Sequence, residues 1–258
     1  MADASDAPIL EFDPSPTAVF EPHHVITRGD AVPTRAVLCF FSQVIDRLAE
    51  RGTEVLFELQ AAHGIHPVYA FDDLGERIAV FHPGVGAPLA AGFFEESIAH
   101  GCERFVAVGT AGALVPDVTV GHVVVPTSAV RDEGTSYHYQ PAARTSEPSP
   151  EGVKAVVTAL ERHGVPFVTG ATWTTDAFYR ETRAKVERRV AEGCLTVEME
   201  AAALFAVAAF RRVPIGMILT ASDSLADEEW SGFVTRGDED HDTRWRLFEV
   251  AAEAVRTL

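Results

Sequence analysis

Unbroken apolar runs alternate along the chain with stretches in which apolar residues recur every three or four positions. The first pattern predicts strands covered on both faces, because a half-exposed strand would alternate apolar and polar positions. The second predicts helices with one apolar face. RAVLCFF (35–41) reads as a buried strand, followed by a short helix to about Arg51. HPVYAF (66–71) and RIAVFHPG (77–84) are strands separated by the turn signal DDLGE. LAAGFFEESIAHGC (89–102) has helical periodicity, RFVAVGTAGAL (104–114) is a strand running into a glycine-rich turn, and GHVVVPTSAV (121–130) is another strand. EGVKAVVTALERHG is a helix ended by Gly164, PFVTGATWTT is strand-like, and ETRAKVERRVAEG is an amphipathic helix closed by Gly193. VPIGMILTASD is an apolar strand with a polar end, and HDTRWRLFEVAAEAVRTL is a final helix.

Strands alternating with helices predict an α/β fold with a central mixed β-sheet flanked by helices. No internal repeat interrupts it, so residues 23–258 are expected to form a single domain. Residues 1–22, rich in Pro, Asp and Ser, are expected to form a loose N-terminal arm.

One stretch departs from both patterns. TVEMEAAALFAVAAF (196–210) reads as a helix apolar on every side, yet it opens with Glu198 and Glu200 around Met199. A buried carboxylate is costly unless it is paired or hydrogen-bonded. Glu200 is therefore expected either to perform a function or to cap the helix.

Composition narrows the class. A 47% hydrophobic chain can build a sizeable core, and no run approaches the length of a membrane span. MADASDAPIL lacks the basic-then-apolar pattern of a secretory signal. Cys39, Cys102 and Cys194 lie in apolar surroundings without metal-ligand spacing, which predicts reduced core thiols in an intracellular, cytoplasmic protein. A net charge of -17 argues against nucleic-acid or anionic-membrane partners, and it requires any anionic substrate to find a local cationic pocket.

Candidate chemistry sits at strand ends, where ligands of open α/β sheets gather. Gly109 and Thr110 in AVGTAGAL fit either a tight turn or a binding loop whose N–H groups hold an anion. Asp223 in LTASD fits a general acid or base, or a cap for an adjoining helix or turn. Phe178 and Tyr179 in TTDAFY fit an aromatic shelf or core packing.

Taken in order, HPGVGAP, VAVGTAGAL, GHVVVPTSAVRDEG, TTDAFY, TVEMEAAAL and ILTASD resemble the nucleoside phosphorylase superfamily, in its branch of uridine phosphorylases, purine nucleoside phosphorylases and methylthioadenosine nucleosidases. The resemblance covers roughly Arg77 to Ser224, and VEMEAAAL is its most specific element. It implies an enzyme that cleaves a nucleoside's N-glycosidic bond without metal or organic cofactor. It also implies a homo-oligomer, dimer or hexamer, whose small-molecule partners are a nucleoside and, for a phosphorylase, phosphate. Glu200 would bind the ribose hydroxyls, with Met199 against the sugar and Glu198 nearby. Phe178 would stack on the base, and Asp223 would assist its departure. That Asp favours a purine or purine-like base. Uridine phosphorylases read their base with a Gln and an Arg after the Phe-Tyr pair. FYRETR offers Arg180 and Arg183 but no Gln.

The likeness breaks at the nucleophile. Thr110 maps to a phosphate-contacting hydroxyl, but Ala107 stands where phosphorylases of the family carry an arginine, and Arg35 is displaced from the spacing expected after Gly29 and Asp30. Arg28, Arg35 or Arg131 would have to form a relocated anion site. His23 and His24 read as loop residues, and Trp230 as packing. These departures favour hydrolysis. Phosphorolysis is the alternative, and a non-catalytic nucleoside-binding or storage protein is the reading from another class.

Overall fold

The computed structural model describes residues 7–29, 31–62, 64–227, 230–231 and 238–258. Its ten strands form one mixed sheet. In chain order they are β1 (Arg35–Cys39), β2 (Val55–Ala61), β3 (Gly64–Asp73), β4 (Glu76–Phe81), β5 (Arg104–Ala113), β6 (Val123–Asp132), β7 (Thr145–Ser146), β8 (Phe167–Thr175), β9 (Cys194–Glu198) and β10 (Ile215–Ser224). The helices are α1 (Ser42–Glu50), α2 (Ala87–His100), α3 (Pro150–Arg162), α4 (Arg183–Ala191), α5 (Ala201–Arg211) and α6 (Asp238–Thr257).

The sheet order is β10-β6-β8-β9-β5-β1-β4-β3-β2, and β10 also pairs with β5. That extra pairing closes β10, β6, β8, β9 and β5 into a ring, with the other strands as a wing. β5 runs parallel to both β1 and β10 and touches antiparallel β9 only at Gly112 and Ala113. The two ends of the closure therefore meet at the C-terminal end of β5.

Burial on both faces explains the continuous apolar strands. Along β5, Phe105, Ala107, Ala111 and Ala113 pack with residues of α2 and α5, whereas Val106 and Val108 pack with α1, α3 and α6. Helix α5 is buried from Ala201 through Ala208, so it shows no amphipathic stripe.

Three local expectations change. β2, an edge strand with mixed exposure, carried no apolar run to reveal it. Cys194–Glu198 is strand β9, so helix α5 begins only at Ala201. The glycines of VGTAGA do not make a turn: Gly109 and Thr110 pair with Leu219 and Thr220 of β10, and the ladder continues to Ala113. They lie in a strand paired with β10 on one edge; on the other edge the β1 ladder ends at Val108 and β9 joins only at Gly112.

Candidate active site

The two glutamates of VEME diverge. Glu198, the last residue of β9, accepts the N–H groups of Glu200 (2.7 Å) and Ala201 (2.6 Å) on one oxygen and the Thr174 hydroxyl (2.6 Å) on the other. Thr174 in turn accepts the Ala202 N–H at 2.9 Å. Glu198 and Thr174 together satisfy the open N–H groups at the start of α5, where a negative charge is favoured by the helix dipole. Glu200 occupies the N-cap position but makes no cap bond with its side chain. Its Oε1 instead accepts the Gly86 N–H at 2.6 Å, from the turn after β4. Met199 between them is half-buried.

Both carboxyls titrate above the ordinary range. Burial is the main cause for each, and for Glu200 the Glu198 charge adds to it. Glu198 has three donors to hold its charge, whereas Glu200 has the backbone N–H groups of Gly86 and Met199 and a charged neighbour. The pair titrates jointly, and Glu200 is the member held upward by that repulsion.

Asp223 faces the same strand end from β10. A register shift between Ala221 and Asp223 re-aims the chain there. Its Oδ2 accepts the Trp230 indole N–H at 2.9 Å, and its Oδ1 the Ser222 hydroxyl at 3.0 Å. Trp230, expected to pack, thus reaches the candidate acid directly. Gly112 of β5 pairs with Asp223 on one side and Val197 on the other. Those partners stand two strand spacings apart, about 10 Å, on the scale of a nucleoside. A side chain at Gly112 would meet Leu225 at 2.8 Å, Val197 at 3.1 Å and the Asp223 carboxylate at 3.5 Å, so only glycine lets the three strands converge.

Thr110, on the same strand, is exposed. Phe178 begins a short 3-10 turn after β8; its ring is 49% exposed and lies 4.1 Å from that of the still more open Tyr179. Glu181 closes this turn. Burial, then the Asp223 charge, pushes its carboxyl up to about 7 against the pull of Lys185. Arg183 does not present a free guanidinium. It donates to the Leu225 carbonyl at 2.8 Å and to the Asp227 carbonyl, tying the start of α4 to the segment after β10.

The model of the phosphorylase superfamily matches residues 34–257. The chain belongs to this superfamily. Among its relatives is the guanosine phosphorylase of Halorubrum lacusprofundi, 31% identical over 80% of this chain and 84% of the relative. The DeoD-type purine nucleoside phosphorylase of Exiguobacterium sibiricum is 32% identical over 78% of this chain and 83% of the relative. The uridine phosphorylase of Treponema pallidum is 33% identical over 70% and 73%. In fold, the chain matches the crystal structure of a uridine phosphorylase from Vibrio fischeri with a TM-score of 0.75, covering 94% of this chain and all of that one at 24% identity.

The superfamily's phosphate arginines have no replacement among Arg28, Arg35 and Arg131. Ala107 is fully buried between Leu38 of β1 and Met217 of β10. Arg28 pairs with Glu103 on the surface. Arg35 pairs with Glu76 at the opposite end of the sheet, five residues before the level of Gly109, or about 16 Å at the rise of a strand. Arg131 is buried and spent on its own loop, donating to the Ser136 hydroxyl at 2.8 Å and to the Pro141 (2.8 Å) and Gln140 (3.2 Å) carbonyls. Asp30 lies outside the described residues. His24 exchanges cap bonds with Glu21 and stays in the N-terminal segment.

Thr174, Glu181 and His82 join the candidate site from the fold rather than from the sequence pattern. Thr174 and Glu181 had faint signals: a Thr-Thr pair at a strand end and an acidic residue three positions past a candidate stacking ring. His82 at the end of β4 is the third, and its Nδ1 accepts the Gly84 N–H at 3.0 Å.

Among the described residues no helix is long and apolar enough to cross a membrane.

Proposed function

We propose that the protein cleaves the N-glycosidic bond of a purine-type nucleoside, with phosphate as the attacking group. One observation carries the reading: the buried Glu200 carboxylate, two residues past the end of β9, and Asp223, near the end of β10, stand beyond the strands that flank Gly112, with Phe178 exposed on the turn after β8. The phosphorylase names of the relatives support phosphate over water, which reverses the preference drawn from Ala107.

In this reading Glu200 orients the sugar hydroxyls, and its charge favours the positive charge that develops on the ring as the bond to the base breaks. The bonding pair leaves with the base. Asp223 supplies a proton or hydrogen bond to the departing ring nitrogen. A phosphate oxygen forms the new bond to the anomeric carbon, with Thr110 offering its hydroxyl, and the products are free base and sugar 1-phosphate. Phe178 stacks on the base, and Met199 lies against the sugar. The guanosine and purine nucleoside phosphorylase names of two relatives support a purine base. Glu181 adds a second carboxyl at the base end.

We also propose a homo-oligomer, dimer or hexamer, in the cytoplasm. Exposed Val19, Phe20, Val25 and Ile65 support association, and three buried thiols support a reducing compartment. The deciding test of the reaction is product analysis on a nucleoside panel, with and without phosphate. Sugar 1-phosphate formed only with phosphate is expected. Free sugar released in phosphate-free buffer would overturn the choice of nucleophile, and no turnover of any nucleoside would overturn the enzyme.

A further inference from the structure

We propose that His82 is a positioning residue for the sugar end of the site, acting through the turn that holds Glu200. The inference rests on the reading of Glu200 as the sugar ligand. Three contacts define the linkage. The imidazole Nδ1 accepts the Gly84 N–H at 3.0 Å. The ring is also hydrogen-bonded to the backbone of Phe40, at the end of β1. Two residues past Gly84, the Gly86 N–H reaches Glu200 at 2.6 Å. The turn is thus held from inside by His82 and from outside by the candidate sugar ligand.

The geometry leaves the turn little alternative. Gly84 has φ +81, and a Cβ there would lie 2.2 Å from Leu89, so the backbone cannot relax into an ordinary conformation under a larger residue. The His82 ring meets the Phe40 ring edge-on, 5.9 Å between centroids. Phe40 in turn fills the space beside Gly109, where an added Cβ would lie 3.0 Å from it. One imidazole therefore joins the ends of β1 and β4 to the turn and, through Phe40, to β5.

Only one protonation state makes these bonds. Nδ1 must be a bare acceptor, which leaves Nε2 to carry the proton toward the Phe40 carbonyl. Burial, with the charge of nearby His66, favours the neutral ring. Both nitrogens are engaged, so His82 is neither a free base nor a phosphate ligand. Its service resembles that of Asn or Asp before a turn, whose side chain accepts the N–H two residues on.

The test compares wild type with His82→Ala, His82→Asn and, in parallel, Glu200→Gln, using a turned-over purine nucleoside and phosphate as varied substrates, with circular dichroism as the check on folding. His82→Ala is expected to raise the nucleoside KM about tenfold, the scale of one lost hydrogen bond, and to leave the phosphate KM unchanged. His82→Asn is expected to restore the nucleoside KM, because its amide oxygen reaches the same N–H. If the alanine variant does not fold, the asparagine variant decides: wild-type KM supports the proposal, and a KM raised tenfold or more overturns it. A wild-type KM in folded His82→Ala, with Glu200→Gln still impaired, overturns the positioning role alone. Full activity in Glu200→Gln overturns the sugar assignment and the inference with it.

Discussion

Glu198 and Glu200 are two residues apart and point to different partners: one closes the N-terminus of α5, the other reaches across to Gly86. A single cap would have needed only one carboxylate. The second is buried on the N–H groups of Gly86 and Met199 against repulsion from the first, an arrangement that is costly for its charge and favourable beside a developing positive charge.

Replacing Glu200 by Gln should lower turnover about 10²-fold or more, the scale of one lost electrostatic contact in the transition state, while leaving the fold intact. Steady-state rates with matched circular dichroism check this, and a folded variant of wild-type activity would exclude the sugar role.

The same substitution should change stability with pH in a defined direction. The Glu200 pKa is raised in the folded state above its ordinary value of 4.5. Below that value both states hold the proton and the group contributes fully. As pH rises toward the folded pKa, the unfolded chain loses its proton first, and the folded state loses stability. Glu200→Gln, which mimics the protonated form and keeps the Gly86 acceptor, should match wild type in acid and melt at higher temperature at alkaline pH. Melting curves across that range test it, and a pH-independent difference would contradict the shared, raised titration.

The cap should separate from the chemistry. Thr174→Val removes the hydroxyl that joins Glu198 to the Ala202 N–H. Losing a cap costs about 1–2 kcal/mol, read as a lowered denaturation midpoint with KM for nucleoside close to wild type. Unchanged stability would mean that the α5 terminus finds other donors and acceptors.

Much of the fold is legible because burial on both faces writes itself as continuous apolar runs, as in β5 and β10. β2 escaped because its exposure is irregular, as at Val55 and Glu58. The candidate site was legible where a residue type is out of place, as with Glu200 before an all-apolar helix. It was not legible where function depends on who holds whom. The sequence presents Glu198 and Glu200 as equals, and only the fold sends one to the helix mouth. Arg183 and Arg131 look available in sequence because a backbone carbonyl partner leaves no trace in residue identity.

Asp223 should matter in proportion to how much help the leaving group needs. Asp223→Asn is expected to impair purine nucleosides far more than a nitrophenyl riboside, whose leaving group departs without a proton. Equal losses on both substrates would assign Asp223 a structural role.

The indole on that carboxylate should report the base. Trp230 Nε1 donates to Asp223 Oδ2 at 2.9 Å, so a base that uses the same oxygen must displace or share it. Trp173 and Trp245 are buried, whereas Trp230 is 57% exposed, which makes it the tryptophan that solvent and ligand reach. Titration with a purine base should therefore shift the intrinsic emission and protect it from iodide quenching, and Trp230→Phe should abolish both effects. If the base also gains by no longer competing with the indole, its Kd in Trp230→Phe should fall. A rise in Kd would instead assign Trp230 to the wall of the base pocket, where its ring supplies contact area that phenylalanine restores only in part. Emission that ignores the base in wild type would separate Trp230, and Asp223 with it, from the base altogether.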